Sequence, residues 1–112
     1  MNEKLFQEQV IRLAQLNGWL HFHPAPSQVR PGVWRSDGKG FPDLVLAHRE
    51  RGVIMAELKT ADGKLSLDQV KWANHISPWV EHYVWRPAQL EMIAERLGRK
   101  ACPSQSAACS QA

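Results

Sequence analysis

Three charged residues occur where two apolar segments of the sequence begin or end. Asp43 precedes the apolar run 44–47, whereas Glu57 and Lys59 lie at the end of the next apolar run. Because side chains alternate along a strand, Glu57 and Lys59 project from the same face. A hairpin symmetric about Glu50 pairs Asp43 with Glu57, and directly opposed residues share a face with Cβ atoms about 4.5–5.5 Å apart.

Two carboxylates at such a separation repel each other, and burying them is costly unless another group compensates their charge. A divalent cation between Asp43 and Glu57 removes this conflict, and a site made of oxygen atoms suits Mg²⁺ or Mn²⁺. A cation with Lys59 beside it can hydrolyse a phosphodiester, because the metal activates water and the ammonium neutralises charge in the transition state. The alternative is an exposed Glu57–Lys59 pair at a strand end, with Asp43 capping the start of a strand.

The rest of the sequence supplies helices and strands around these residues. Apolar periodicity, glycine and proline predict helices at 3–17, 66–76 and 87–97, and strands at 19–23, 43–47, 53–59 and 81–85. Residues 24–40 are rich in proline, glycine and arginine and predict a long basic loop. The resulting order, α-β-β-β-α-β-α, predicts an α/β fold in which helices flank a mixed sheet.

Length and composition restrict the possible classes of protein. A chain of 112 residues, of which 44% are hydrophobic, is expected to form one domain, residues 1–98, followed by a disordered tail at 99–112. The net charge of +3 is compatible with a nucleic-acid partner. Both cysteines lie in the tail, and no apolar run suits a bilayer, so we expect a cytoplasmic protein without membrane partners or a disulfide framework.

The segment 40–44, Gly-Phe-Pro-Asp-Leu, followed by Glu57-Leu58-Lys59, resembles the signature of the PD-(D/E)XK nucleases. Further residues in the same order resemble the stand-alone VRR-NUC (virus-type replication-repair nuclease) domains. These residues are Glu3, Gln7, Gly18, Trp19, Ser66, Gln69 and the segment 84–87. The resemblance covers residues 3–97.

This resemblance implies a restriction-endonuclease-like fold and metal-dependent cleavage of DNA. It implies that Asp43, Glu57 and the main-chain carbonyl of Leu58 bind Mg²⁺ or Mn²⁺ and that Lys59 serves catalysis; it implies no organic cofactor. Holliday junctions, flaps or other branched duplexes are the implied substrates, cut by a homodimer. The alternative function is a non-catalytic module that keeps the nuclease fold and binds structured nucleic acid.

Two further side chains are predicted to lie near the metal. Glu3 falls on the helical stripe of Gln7 and Val10, which makes Glu3 a possible additional ligand; the alternative is a first-turn glutamate stabilised by the helix dipole. The resemblance places Gln69 in the active site. Its spacing from Ser66 also predicts a capping box, and the two roles are compatible.

The remaining candidates are histidines and basic residues. His21 and His23 share a strand face but have no third zinc ligand at suitable spacing, so we expect them at the edge of the site, with His23 close to DNA. His82 is predicted to lie on the surface. Phosphate contacts, with recognition of DNA shape rather than sequence, are predicted for Arg30, Arg35, Lys39, Lys64 and Lys71.

Overall fold

The structure, a computed structural model, describes residues 2–24, 27–30, 33–35 and 39–99, with the main chain alone at 27–30 and 33–35. The predicted tail therefore lies outside the described residues from position 100 onward. The side chains of Arg30 and Arg35, both predicted to contact DNA, lie outside them as well. Among the described residues, no helix combines the length and apolar character that crossing a membrane requires.

The fold is α/β, with a four-stranded mixed sheet and three α-helices. In chain order the elements are α1 (Glu3–Leu16), β1 (Leu20–Phe22), β2 (Ser27–Arg30), β3 (Val33–Arg35), β4 (Leu44–His48), β5 (Gly52–Leu58), α2 (Leu67–Ile76), β6 (Glu81–Trp85), a 3₁₀ turn (Pro87–Gln89) and α3 (Leu90–Leu97). The sheet has the order β1-β4-β5-β6, and β6 is parallel to β5 whereas the other neighbours are antiparallel.

The predicted order is matched only roughly, because two parts of the chain differ from it. The prediction of a loop over 24–40 is wrong at β2 and β3, which pair as a separate antiparallel ribbon. Val29, Val33 and Trp34 favour strands, but the surrounding prolines and glycines obscured that signal. The last helix also begins later than predicted, since Pro87 opens a 3₁₀ turn and the α-helix starts at Leu90.

The β4–β5 hairpin has the predicted register. Its pairs run from Leu44 with Ala56 to His48 with Gly52, so the hairpin is symmetric about position 50. One face of this pair is fully buried, and its residues are Leu44, Leu46, Ile54, Ala56 and Leu58. By alternation, Val45, Met55 and Glu57 point to the opposite face. The two faces of the sheet therefore have different chemistry.

Helices α1 and α3 supply the rest of the apolar core. Phe6, Val10 and Ala14 from α1, together with Ile93 and Leu97 from α3, belong to the same buried cluster as the apolar face of β4 and β5. Helix α2 has no fully buried residue and contacts β6. The sheet is thus packed firmly on one face, whereas the other face carries α2 and Glu57.

A buried ion pair attaches α3 to the apolar face of the sheet. Arg96 donates from Nε and Nη2 to the two carboxylate oxygens of Glu81 at 2.8 and 2.6 Å, and Tyr83 donates its hydroxyl proton to Glu81 at 2.6 Å. Burial raises the pKa of Glu81, but the hydrogen bonds from Arg96 and Tyr83 outweigh burial and leave that pKa below its ordinary value.

Candidate active site

The segment before β4 is docked on α2. Gly40 has a φ of +88°, and a Cβ atom there would clash with the main-chain carbonyl carbon of Asp68 in the first turn of α2. The ring of Phe41 meets that of Trp72 edge to face, with centroids 5.1 Å apart, and Trp72 Nε1 donates to the carbonyl of Lys39 at 3.0 Å. This close approach, which glycine permits, fixes the start of β4 relative to α2.

Asp43 is held against the end of β5. Its Oδ2 atom accepts a hydrogen bond of 2.9 Å from the main-chain N–H of Leu58, and its own carbonyl oxygen lies 2.7 Å from Nδ1 of His23. One step beyond the pair of Leu44 with Ala56, the same register places Asp43 beside Glu57. The half-buried Asp43 carboxylate therefore has a fixed orientation, and among the described residues no hydrogen bond reaches its other oxygen.

Glu57 is completely buried on the face that carries α2. Gln69 Nε2 donates to its Oε1 atom at 3.3 Å, while Gln69 Oε1 accepts a bond of 2.9 Å from the main-chain N–H of Ser66. Ser66 Oγ accepts in turn from the N–H of Gln69 at 3.1 Å, which completes a capping box. Gln69 thus caps α2 and contacts Glu57 at the same time, so the capping box holds the amide at the carboxylate.

The second carboxylate oxygen of Glu57 faces a residue that the sequence did not identify. His82 Nε2 lies 3.7 Å from Glu57 Oε2, and among the described residues neither buried atom has a hydrogen-bond partner. The prediction that His82 lies on the surface is wrong, since only 7% of its side chain is exposed. The parallel pairing of β5 with β6 brings His82 to this face, and the sequence carries no signal for that register.

Lys59 directly follows β5 and remains half-buried. Its main-chain N–H donates to the carbonyl of Trp85 at 3.0 Å, which continues the register of β5 and β6. The loop after Lys59 is held by Arg86, whose Nη1 atom donates to the carbonyls of Thr60 and Gly63 at 2.7 Å each. The ends of β5 and β6 therefore fix the main-chain position of Lys59.

The other predicted site residues are exposed or half-buried. Glu3 is exposed at the start of α1 and Gln7 is half-buried, and among the described residues neither forms a hydrogen bond with Asp43 or Glu57. Lys39, Lys64 and Lys71 are exposed, and Lys39 Nζ lies 3.7 Å from Asp68 Oδ2.

The donor atoms at this centre fit a hard cation with few protein ligands. Among residues 2–24 and 39–99, no three His, Cys, Asp or Glu side chains form a group that could hold a metal ion. The oxygen donors predicted from the sequence and its family resemblance are the carboxylates of Asp43 and Glu57 and the carbonyl of Leu58. Mg²⁺ commonly binds through one or two carboxylates and keeps several waters, so this oxygen set suits Mg²⁺. Among the described residues the buried Oε2 atom of Glu57 has no hydrogen-bond partner, so the carboxylate is not fully paired.

No family model matches the chain, and a search of the curated proteins and of the solved structures finds no match either.

Proposed function

We propose that this chain is a divalent-cation-dependent endonuclease that hydrolyses phosphodiester bonds in branched DNA such as Holliday junctions or flaps. One observation carries the proposal: the Asp43 carboxylate is bonded to the N–H of Leu58, between Glu57 and Lys59. The mixed sheet with helices is compatible with the restriction-endonuclease-like fold that the resemblance to VRR-NUC domains implies.

In this proposal, Asp43, Glu57 and the Leu58 carbonyl hold one Mg²⁺ or Mn²⁺ ion. When bound, such an ion polarises a phosphoryl oxygen and lowers the pKa of a bound water. The N–H of Leu58 orients Asp43, and the amide of Gln69 holds Glu57. The ammonium of Lys59 neutralises the negative charge that develops on the phosphoryl oxygens as the P–O bond breaks.

Three exposed lysines on neighbouring segments of the sequence give the DNA backbone its contacts. Lys39 precedes the docked segment, Lys64 lies in the loop after Lys59, and Lys71 lies on α2. Contacts to phosphates carry no sequence information, so the enzyme selects DNA by shape. A homodimer supplies the second cut that a symmetrical junction requires. The cytoplasm remains the expected location.

Cleavage of labelled junction, flap and linear duplexes in Mn²⁺ tests this function. We expect D43N and K59M to reduce the cleavage rate at least about 100-fold, because D43N removes the charge of a metal ligand and K59M removes the ammonium that stabilises the reacting phosphate. E50Q alters an exposed acid at the tip of the hairpin and serves as the matched control. Chelation by EDTA should abolish cleavage, and cleavage by D43N at the wild-type rate would contradict the proposal.

A non-catalytic module that binds branched nucleic acid is the second candidate. It is favoured by the lack of a three-residue metal group among the described side chains. In that case the wild type and D43N leave every substrate intact and bind junction DNA with equal affinity. Gel-shift titrations on the cleavage substrates therefore separate the two functions.

A further inference from the structure

We propose that His82 is a positioning residue for Glu57: its Nε2–H donates a hydrogen bond to Glu57 Oε2 and fixes the carboxylate in the orientation that receives the cation. This inference rests on the proposed function, because it assigns a role to the contact within that metal site. In this role the Nε2 atom of the imidazole carries a proton, as one tautomer of histidine allows.

The parallel register accounts for the meeting of these two side chains. Met55 pairs with His82 and Glu57 pairs with Val84. His82 therefore lies on the same face as Glu57, two positions along the strands from the Glu57–Val84 pair. The imidazole is 93% buried and the carboxylate is fully buried. The two facing atoms, Glu57 Oε2 and His82 Nε2, are therefore shielded from water.

The distance between the two atoms indicates that a small approach completes the contact. At 3.7 Å, Nε2 and Oε2 are about 0.5 Å beyond the usual limit of a hydrogen bond. Nearly all buried polar atoms in proteins have a hydrogen-bond partner. Within the described residues these two atoms face each other and have none, so their mutual approach satisfies both at once.

Gln69 restrains the other oxygen of the same carboxylate. Its amide donates to Glu57 Oε1, and the capping box with Ser66 fixes the amide. With His82 on Oε2, the carboxylate is held between β6 and α2 and cannot rotate without breaking one contact. Replacement of a residue that orients a metal ligand typically weakens metal binding by about 10–100-fold.

Three variants separate this role from a merely structural one. H82F removes the donor and keeps an aromatic ring, H82Q keeps an N–H donor, and H75F changes an exposed histidine at the far end of α2. Binding of Mn²⁺ without DNA is measured by the electron paramagnetic resonance signal of the free ion. The cleavage rate is measured against Mn²⁺ concentration, which separates half-saturation from the maximal rate.

We expect H82F to weaken Mn²⁺ binding about 10–100-fold while the rate at saturating Mn²⁺ stays within a few-fold of wild type. H82Q should recover most of the affinity, and H75F should match the wild type. A wild type that binds Mn²⁺ and cleaves DNA, with H82F binding Mn²⁺ equally well, overturns the role of His82 and leaves the proposed function standing. A wild type that binds no Mn²⁺ overturns both.

A second measurement does not depend on the folding of H82F. In the wild type labelled with ¹⁵N-histidine, NMR identifies which ring nitrogen of His82 carries the proton. We expect a slowly exchanging proton on Nε2 whose chemical shift moves in E57Q. A proton found on Nδ1 instead overturns the proposal, because Nε2 then has nothing to donate.

Discussion

Two glutamates on neighbouring strands, the fully buried Glu57 on one face of the sheet and the partly buried Glu81 on the other, differ in how completely their carboxylates are hydrogen-bonded. Glu81 accepts two hydrogen bonds from Arg96 and one from Tyr83. Glu57 accepts one bond of 3.3 Å from a neutral amide, and among the described residues its second oxygen has no partner. A glutamate side chain is therefore fully hydrogen-bonded on one face of the sheet and incompletely hydrogen-bonded on the other.

The difference separates a carboxylate that stabilises the fold from one that can bind a ligand. The guanidinium of Arg96 offsets the charge of Glu81, and its own pKa is raised by the hydrogen bond to Glu81. Glu57 has no described cation within hydrogen-bonding distance, and the proposed function assigns it to an external cation. Each glutamate should therefore respond differently when its charge or its partner is removed.

Removal of Arg96 should have the largest effect on stability. In R96M the carboxylate of Glu81 stays buried without a counter-charge, so we expect the free energy of unfolding to fall by about 3–5 kcal/mol. Urea denaturation followed by tryptophan fluorescence measures this change. The double variant E81Q/R96M should recover part of the loss, because it removes the uncompensated charge. If the urea midpoint of R96M lies within error of the wild type, the proposed difference between the Glu81 and Glu57 faces of the sheet is wrong.

Neutralisation of Glu57 should act in the opposite direction and by less. We expect E57Q to raise the free energy of unfolding by less than about 1 kcal/mol, because the gain from removing a buried charge is partly offset where the new NH₂ group faces the N–H donor of Gln69 or His82. Added Mn²⁺ should stabilise the wild type but not E57Q, since only the ionised carboxylate binds the ion. Thermal unfolding with and without Mn²⁺ measures both effects. Destabilisation of E57Q would mean that Glu57 serves the fold as Glu81 does.

Much of this arrangement follows from local sequence patterns. The alternation of apolar residues and the polar turn around Glu50 predict the hairpin, and the structure has that register. The spacing of Ser66 and Gln69 predicts the capping box, which the structure also contains. Both features depend on residues close together in the chain, where side-chain geometry restricts the main chain strongly.

The remaining features depend on contacts between distant segments. His82 meets Glu57 because β6 lies parallel to β5, and a parallel register is set by packing of the whole sheet rather than by a turn. Arg96 reaches Glu81 across 15 positions of sequence because α3 packs against the sheet. Neither pairing leaves a periodic signal, so the sequence predicts Asp43 and Lys59 as site residues but does not predict that His82 faces Glu57.

Titration of Tyr83 tests the face of the sheet that carries the Glu81–Arg96 pair. This test disturbs the protein least, because the protonation of Tyr83 does not change at neutral pH. Burial and the hydrogen bond to Glu81 raise the pKa of Tyr83 from 10.0 to about 12. A raised folded pKa stabilises the protein fully below pH 10, and this contribution is lost as the pH rises from 10 towards 12. Tyr83 is the only tyrosine, so tyrosinate absorbance near 295 nm reports it alone. We expect E81Q to move the titration midpoint of Tyr83 down towards 10, whereas E57Q, on the other face, should leave that midpoint unchanged. An equal shift in both variants would show that both carboxylates influence Tyr83 and that the two faces are not electrostatically separate.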